Sequence, residues 1–129
     1  MILRMVPQRT EGDCTIVALA MFLGENYEDV LAMAAASQDF QVHHDGMYNR
    51  QVKQVAECFG VHLVEKHKWD EEEADGILSL KNPKTHACHV VVLRYGLIFD
   101  GDLGVWEPSV YYQHTGYKAW GILIRKEKK

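Results

Sequence analysis

An α+β fold is predicted for this chain, with helices first and an antiparallel sheet after them. Three observations predict it. Apolar residues recur at helical spacing through the first half. The period shortens to that of strands in the second half, and turn pairs such as Tyr95-Gly96 and Asp100-Gly101 separate the short apolar runs there. Runs of helices followed by runs of strands are the α+β pattern. Asp13 is positioned to cap a first helix starting at Cys14, with Ile16, Leu19, Ala20 and Leu23 as one apolar stripe and Gly24 as its stop. Asn26 opens the second helix, with Glu28 and Asp29 in its first turn, where the helix dipole favours acids. Tyr27, Val30, Leu31 and Ala34 form its apolar face through to Ala36. Residues from Ser37 to Gly46 are polar and read as a loop. A third helix spans about Tyr48 to Phe59, and Gly60 ends it.

Val61, Leu63 and Val64 read as a short strand, and Trp69 to Asp75 as an acidic connection of about one helical turn. Ile77 to Leu80 is the next strand, closed by Asn82-Pro83. Ala87 to Arg94, rich in Val, reads as a buried strand that turns at Tyr95-Gly96 and returns through Leu97 to Phe99. Tyr111-Tyr112 reads as a pairing segment and Ala119 to Ile124 as the last strand. Trp106, Tyr111, Tyr112 and Trp120 read as core and sheet packing.

The chain has 129 residues, 47% of them hydrophobic and 25% charged, which fits one domain over 1–129 able to fold without a metal or disulfide. No apolar run approaches the roughly 20 residues of a membrane span, and no secretory signal pattern is visible. Lys and Arg number 14 against 18 Asp and Glu, a formal charge of -4, which argues against a nucleic-acid partner. The basic residues Arg125, Lys126, Lys128 and Lys129 read as a solvated tail. Cysteines are odd in number, Cys14, Cys58 and Cys88, which argues against a disulfide framework and fits the reducing cytoplasm. No feature specifies an oligomeric state. Metal ligation at His86, Cys88 and His89 is disfavoured, because two histidines three apart on a strand face opposite sides; no metal and no cofactor are expected. The loop residues His43, His44 and Asp45 read as solvent-exposed.

Four residues carry a chemistry. Cys14 sits at a predicted helix start, where unsatisfied backbone N–H groups stabilise a thiolate. Gln8, six residues earlier, can bring its side-chain N–H across that start and, with the Cys14 N–H, hold an oxyanion. His89 opens the strongest strand, sharing a face with Val91 and Leu93, while Cys88, Val90 and Val92 face the other way. A Tyr95-Gly96 turn pairs Arg94 with Leu97, which sets Asp100 diagonal to His89 and Asp102 opposite it. Either carboxylate could fix the imidazole. Taken singly, each residue has an ordinary explanation: a flank of an amphipathic helix, a solvated glutamine, a strand-end histidine, a turn aspartate.

Together they resemble the papain-like cysteine peptidases, in particular the small branch that cleaves bacteriocin leader peptides after double glycine. The likeness runs from about residue 5 to 104. It is carried by Gln8-Arg9-Thr10-Glu11-Gly12-Asp13-Cys14, continuing Ile16-Val17-Ala18-Leu19-Ala20-Met21. Val55-Ala56-Glu57-Cys58-Phe59-Gly60-Val61 also matches, as does His89-Val90-Val91-Val92-Leu93 followed by Gly96 and Ile98-Phe99-Asp100-Gly101-Asp102. The resemblance implies a papain-like fold, Cys14 as nucleophile, His89 as base, Gln8 as oxyanion donor and Asp100 as the third member, with Asp102 its rival. Thr15 stands where the family often has Gly, and Gly101 where it often has Pro. The transporter that usually accompanies the leader-peptide branch is not part of this chain, so that substrate is not carried over. The expected function is a cytoplasmic cysteine peptidase, or an amide or isopeptide hydrolase, acting on a peptide or protein through a thioester, with neither nucleic acid nor membrane as partner. The rivals are a catalytically silent peptide- or protein-binding module and a deamidase or acyltransferase using the same triad.

Overall fold

A computed structural model describes residues 3–9, 12–37 and 47–126. The loop expected over Ser37 to Gly46, with His43, His44 and Asp45, lies outside them except for Ser37, which is helical. Thr10, Glu11, Lys128 and Lys129 also lie outside them. The elements are α1 (Cys14–Leu23), α2 (Tyr27–Ser37), α3 (Asn49–Cys58), β1 (Leu63–Lys66), β2 (Asp75–Lys81), β3 (Cys88–Arg94), β4 (Leu97–Asp100), β5 (Gly104–Trp106), α4 (Pro108–Thr115) and β6 (Lys118–Arg125). The architecture is α+β. Among the described residues three helices precede a six-stranded sheet of order β1-β6-β2-β3-β4-β5, in which every neighbouring pair is antiparallel. Among the described residues no helix is long and apolar enough to cross a membrane.

Helix α1 differs from the expected single stripe. Every residue from Thr15 to Phe22 is buried, because α1 lies between the sheet, chiefly β3, and the helices α2 and α3. A helix covered on all sides must be apolar on all sides. Gly24 ends it at φ 70°, the left-handed conformation that a side chain resists. Helix α3 keeps the expected amphipathic form, burying Gln51, Val52, Val55 and Ala56; the Tyr48 N–H donates to Gln51 Oε1 at 2.8 Å and satisfies one group at its start.

The sheet separates two apolar clusters. Val92, Ile77 and Leu123 face α1 and α2, with Val90 and Phe99 packed against them. Val91, Leu93, Ile98, Leu78, Leu80 and Ile122 face the other side, against Tyr111 of α4. Alternation along β3 therefore places its residues as the sequence predicts. The Arg94↔Leu97 register is also as predicted.

Three further features differ from expectation. Tyr111-Tyr112 is helical, because Pro108 stands at the first turn of α4 and Gly116 closes it at φ 78°. Strand β5, not anticipated, pairs with β4 after the turn at Gly101–Leu103. Arg125 is not simply a solvated tail residue: it ends β6 with its guanidinium 4.4 Å from the Phe22 ring centre and 3.7 Å from Asp75 Oδ2.

Candidate active site

The β3–β4 ladder ends at Val92 opposite Phe99. Beyond it, β3 runs on to His89 with no partner strand on that side among the described residues, and the start of α1 lies there. Packing of β3 against α1 thus brings a thiol from a helix start to an imidazole at a strand end. Cys14 is half-buried and within hydrogen-bonding reach of His89. His89 Nε2 is also 3.1 Å from Asp100 Oδ2. Nε2 is committed to the carboxylate, so Nδ1 is the nitrogen left for sulfur. The His89 side chain is 13% exposed and that of Asp100 1%.

Asp100 is the better placed of the two rival aspartates. Its Oδ1 accepts the backbone N–H groups of Asp102 at 2.7 Å and Leu103 at 3.1 Å. Its Oδ2 accepts the Tyr111 hydroxyl at 2.7 Å as well as facing His89. Asp102 is exposed, and its contribution is the N–H that props Asp100. The expectation that Asp102 would sit directly opposite His89 does not hold, because β4 turns away after Asp100 to start β5.

These contacts set the charges. Burial alone would lower the His89 pKa; the Asp100 and Cys14 hydrogen bonds and charges outweigh it and raise it to about 9. Burial alone would raise Asp100; the His89, Tyr111 and Asp102 hydrogen bonds outweigh it and hold the carboxyl near 2. The Tyr111 hydroxyl is driven far up by burial and by Asp100, so it stays a donor.

Two aromatic residues of the site carry roles the sequence pattern does not assign: it reads Tyr111 as packing and marks Tyr117 with no role. Tyr111 is core, yet its hydroxyl holds the carboxylate. Tyr117 stacks on His89, with ring centres 5.5 Å apart and planes 20° apart, and stacks in turn on Tyr111. A buried tyrosine needs a partner for its hydroxyl, and Asp100 is the partner the sequence could have offered Tyr111. No comparable signal marks Tyr117.

Gln8 reaches the same place through its backbone. Its N–H donates to the Gly101 carbonyl at 2.9 Å, immediately after Asp100. A side chain at Gly101 would put Cβ 2.5 Å from Val17 Cγ1 and 2.8 Å from the Val6 carbonyl oxygen. The glycine thus allows the Gln8 segment and α1 to close on the turn. Gly101→Ala is expected to lower stability by about 1–3 kcal/mol, the usual cost of overpacking, read as a lower urea midpoint at unchanged slope. A midpoint equal to the wild type's would mean that this contact yields easily. Thr15, which stands where glycine is common in the resembling family, is buried in α1.

Among the described residues no group of three or more His, Cys, Asp or Glu is arranged to hold a metal ion. Cys58 and Cys88 are exposed free thiols. A thiol, an imidazole and a buried carboxylate in line can generate a nucleophile, pass its proton to a leaving group and return it. No protein-family model matches the chain, and no curated protein matches it.

Proposed function

We propose that this chain is a papain-like cysteine peptidase, or an amide or isopeptide hydrolase, working through Cys14, His89 and Asp100. The observation that carries the reading is the His89 ring held between the Cys14 thiol and the Asp100 carboxylate. The α+β order of elements, with the thiol at the start of the first helix and the imidazole on a sheet strand, supports a papain-like architecture. Three free cysteines support a reducing compartment such as the cytoplasm.

In this mechanism the Cys14 sulfur attacks the carbonyl carbon of a peptide or protein amide. The carbonyl oxygen becomes an oxyanion, stabilised by the Gln8 side-chain N–H and the Cys14 backbone N–H. The C–N bond breaks as His89 gives its proton to the departing nitrogen, leaving a thioester. His89, now neutral, takes a proton from water, and hydroxide displaces sulfur to release the acid. Asp100 keeps the ring oriented and favours its charged form throughout.

The test is competitive alkylation by iodoacetamide at pH 7, followed at each cysteine by mass spectrometry. Access alone favours the exposed Cys58 and Cys88 over half-buried Cys14. The proposal expects Cys14 to react about tenfold faster than either, because thiolate character governs the rate. His89→Ala should remove that advantage. Should Cys14 lag behind the other two in the wild type, the peptidase reading falls and the binding-module reading takes its place.

A further inference from the structure

We infer that Asp13 and Tyr27 are a positioning pair for the oxyanion side of the site: they lock the segment carrying Gln8 to the start of α1, an inference that rests on the roles proposed above for Gln8 and Cys14. Asp13 directly precedes Cys14 and is 0% exposed. At that position its carboxylate should cap α1, as the sequence predicts, yet it makes no cap hydrogen bond. It turns away from its own helix. Its Oδ2 instead accepts the Arg9 backbone N–H at 2.9 Å and the Tyr27 hydroxyl at 2.9 Å.

Gln8 is therefore held by two consecutive amides. Its own N–H is fixed to the residue after Asp100. The next N–H, that of Arg9, is fixed to the residue before Cys14. The two anchors are the chain neighbours of two triad residues, so the Gln8 backbone is referenced to both ends of the site. Tyr27 orients the Asp13 carboxyl from α2. Its ring lies under the Arg9 guanidinium at 4.0 Å, and Arg9 is tied on by Glu28 at 2.8 Å. Burial, then the Asp13 contact, pushes the Tyr27 hydroxyl up to about 12, so it remains a donor. Burying a carboxyl group is costly. A helix start needs no such group, because an exposed Ser or Asn caps as well. What the buried carboxyl adds is a fixed place for the loop amide, and oxyanion donors act only when held in place before the reaction.

Two reactions at the same sulfur separate this role from simple folding support. p-Nitrophenyl acetate acylates Cys14 through a tetrahedral oxyanion and expels p-nitrophenolate. Iodoacetamide alkylates it by displacing iodide and forms no oxyanion. Both are read at Cys14 by mass spectrometry. Gln8→Ala should slow acylation about 100-fold. Tyr27→Phe should slow it about tenfold, while alkylation stays within about twofold of wild type. Asp13→Asn, which still offers an acceptor to the Arg9 N–H, should retain more acylation than Asp13→Ala. In the Gln8→Ala background Tyr27→Phe should add nothing, since the side chain it positions is gone.

Tyr27→Phe costing as much without Gln8 as with it would overturn the inference. So would acylation and alkylation falling together, the mark of a purely structural loss. Only variants that unfolding curves show to be folded at the assay temperature are compared. If wild-type Cys14 is neither acylated nor alkylated faster than Cys58 and Cys88, the proposed function fails and takes this inference with it. If Gln8→Ala slows acylation and Tyr27→Phe does not, the positioning pair alone is wrong.

Discussion

Cys14→Ala is expected to abolish steady-state hydrolysis of p-nitrophenyl acetate, by on the order of 10,000-fold or more, and His89→Ala to cost nearly as much. Neither loss should come from unfolding. Cys14 is half-buried, and the substitution removes a sulfur at the rim of the core rather than from its interior. The two changes should not add: once the nucleophile is gone, the base has nothing to activate. Cys14→Ala also withdraws the hydrogen bond and charge that help raise His89, so the ring's pKa should fall from about 9 toward that of an ordinary histidine, as NMR titration of the ring would record. Full hydrolysis by a folded Cys14→Ala protein would end the mechanism. An unmoved His89 titration would mean that sulfur and ring do not interact in solution.

The parts of the fold legible in the sequence were those governed by local chemistry. Gly24 needs a left-handed φ and ends α1 where the pattern says. The Tyr95-Gly96 turn sets the Arg94↔Leu97 register, and with it the face shared by His89 and Val91. What escaped depended on distant partners. Helix α4 reads as strand at Tyr111-Tyr112 because aromatic pairs favour sheets; Pro108 at its start and packing on β4 decide otherwise. The all-round burial of α1 follows from α2 and α3 covering a face that periodicity alone leaves to solvent.

The candidate site divides the same way. Cys14, His89 and Asp100 were legible because a helix start, a strand alternation and a hairpin register are each short-range rules, and the structure brings the three side chains together. Choosing Asp100 over Asp102 required knowing where β4 leaves its neighbour, which turns on β5, an element of three residues with no strong signal. Asp13 stands at the cap position of α1 as predicted, but its side chain makes no cap bond, for a related reason. A local rule assigns the carboxylate to the helix cap, while a tyrosine fourteen positions later and a loop amide claim it. Gly101, in place of the proline common in the resembling family, is explained only by the approach of Val6, Gln8 and Val17.

Asp100→Asn should be nearly as damaging as loss of the base, although it is almost isosteric. The two oxygens of Asp100 are not equivalent. Oδ1 receives two backbone N–H groups, from Asp102 and Leu103, and only an oxygen can accept both. An asparagine must therefore set its oxygen there and turn its NH2 toward His89 and Tyr111. The Tyr111 hydroxyl can rotate and accept. His89 Nε2 can accept only by giving up its proton, which leaves the neutral ring protonated on Nδ1, toward sulfur. That tautomer cannot take a proton from the nucleophile, and a wrong tautomer in a catalytic triad costs about 10,000-fold. The pH dependence carries the same signature. In the proposed mechanism His89 must be protonated to release the amine, so amide turnover should fall as pH rises through about 9. With Asp100 neutralised, a contact that raises His89 is lost, and the alkaline limb should move to lower pH. Stability follows the same signs. His89 is raised from 6.5, so its contribution is complete below that value and is lost as pH rises through about 9. Asp100 is lowered from 3.8 to about 2, so its contribution is present above 3.8 and is lost as pH falls through about 2. Urea midpoints should therefore decline at both extremes in the wild type, and Asp100→Asn should flatten both declines while lowering the midpoint between them. An alkaline limb that stays in place in a folded Asp100→Asn protein would show that the carboxylate does not set the charge of the ring.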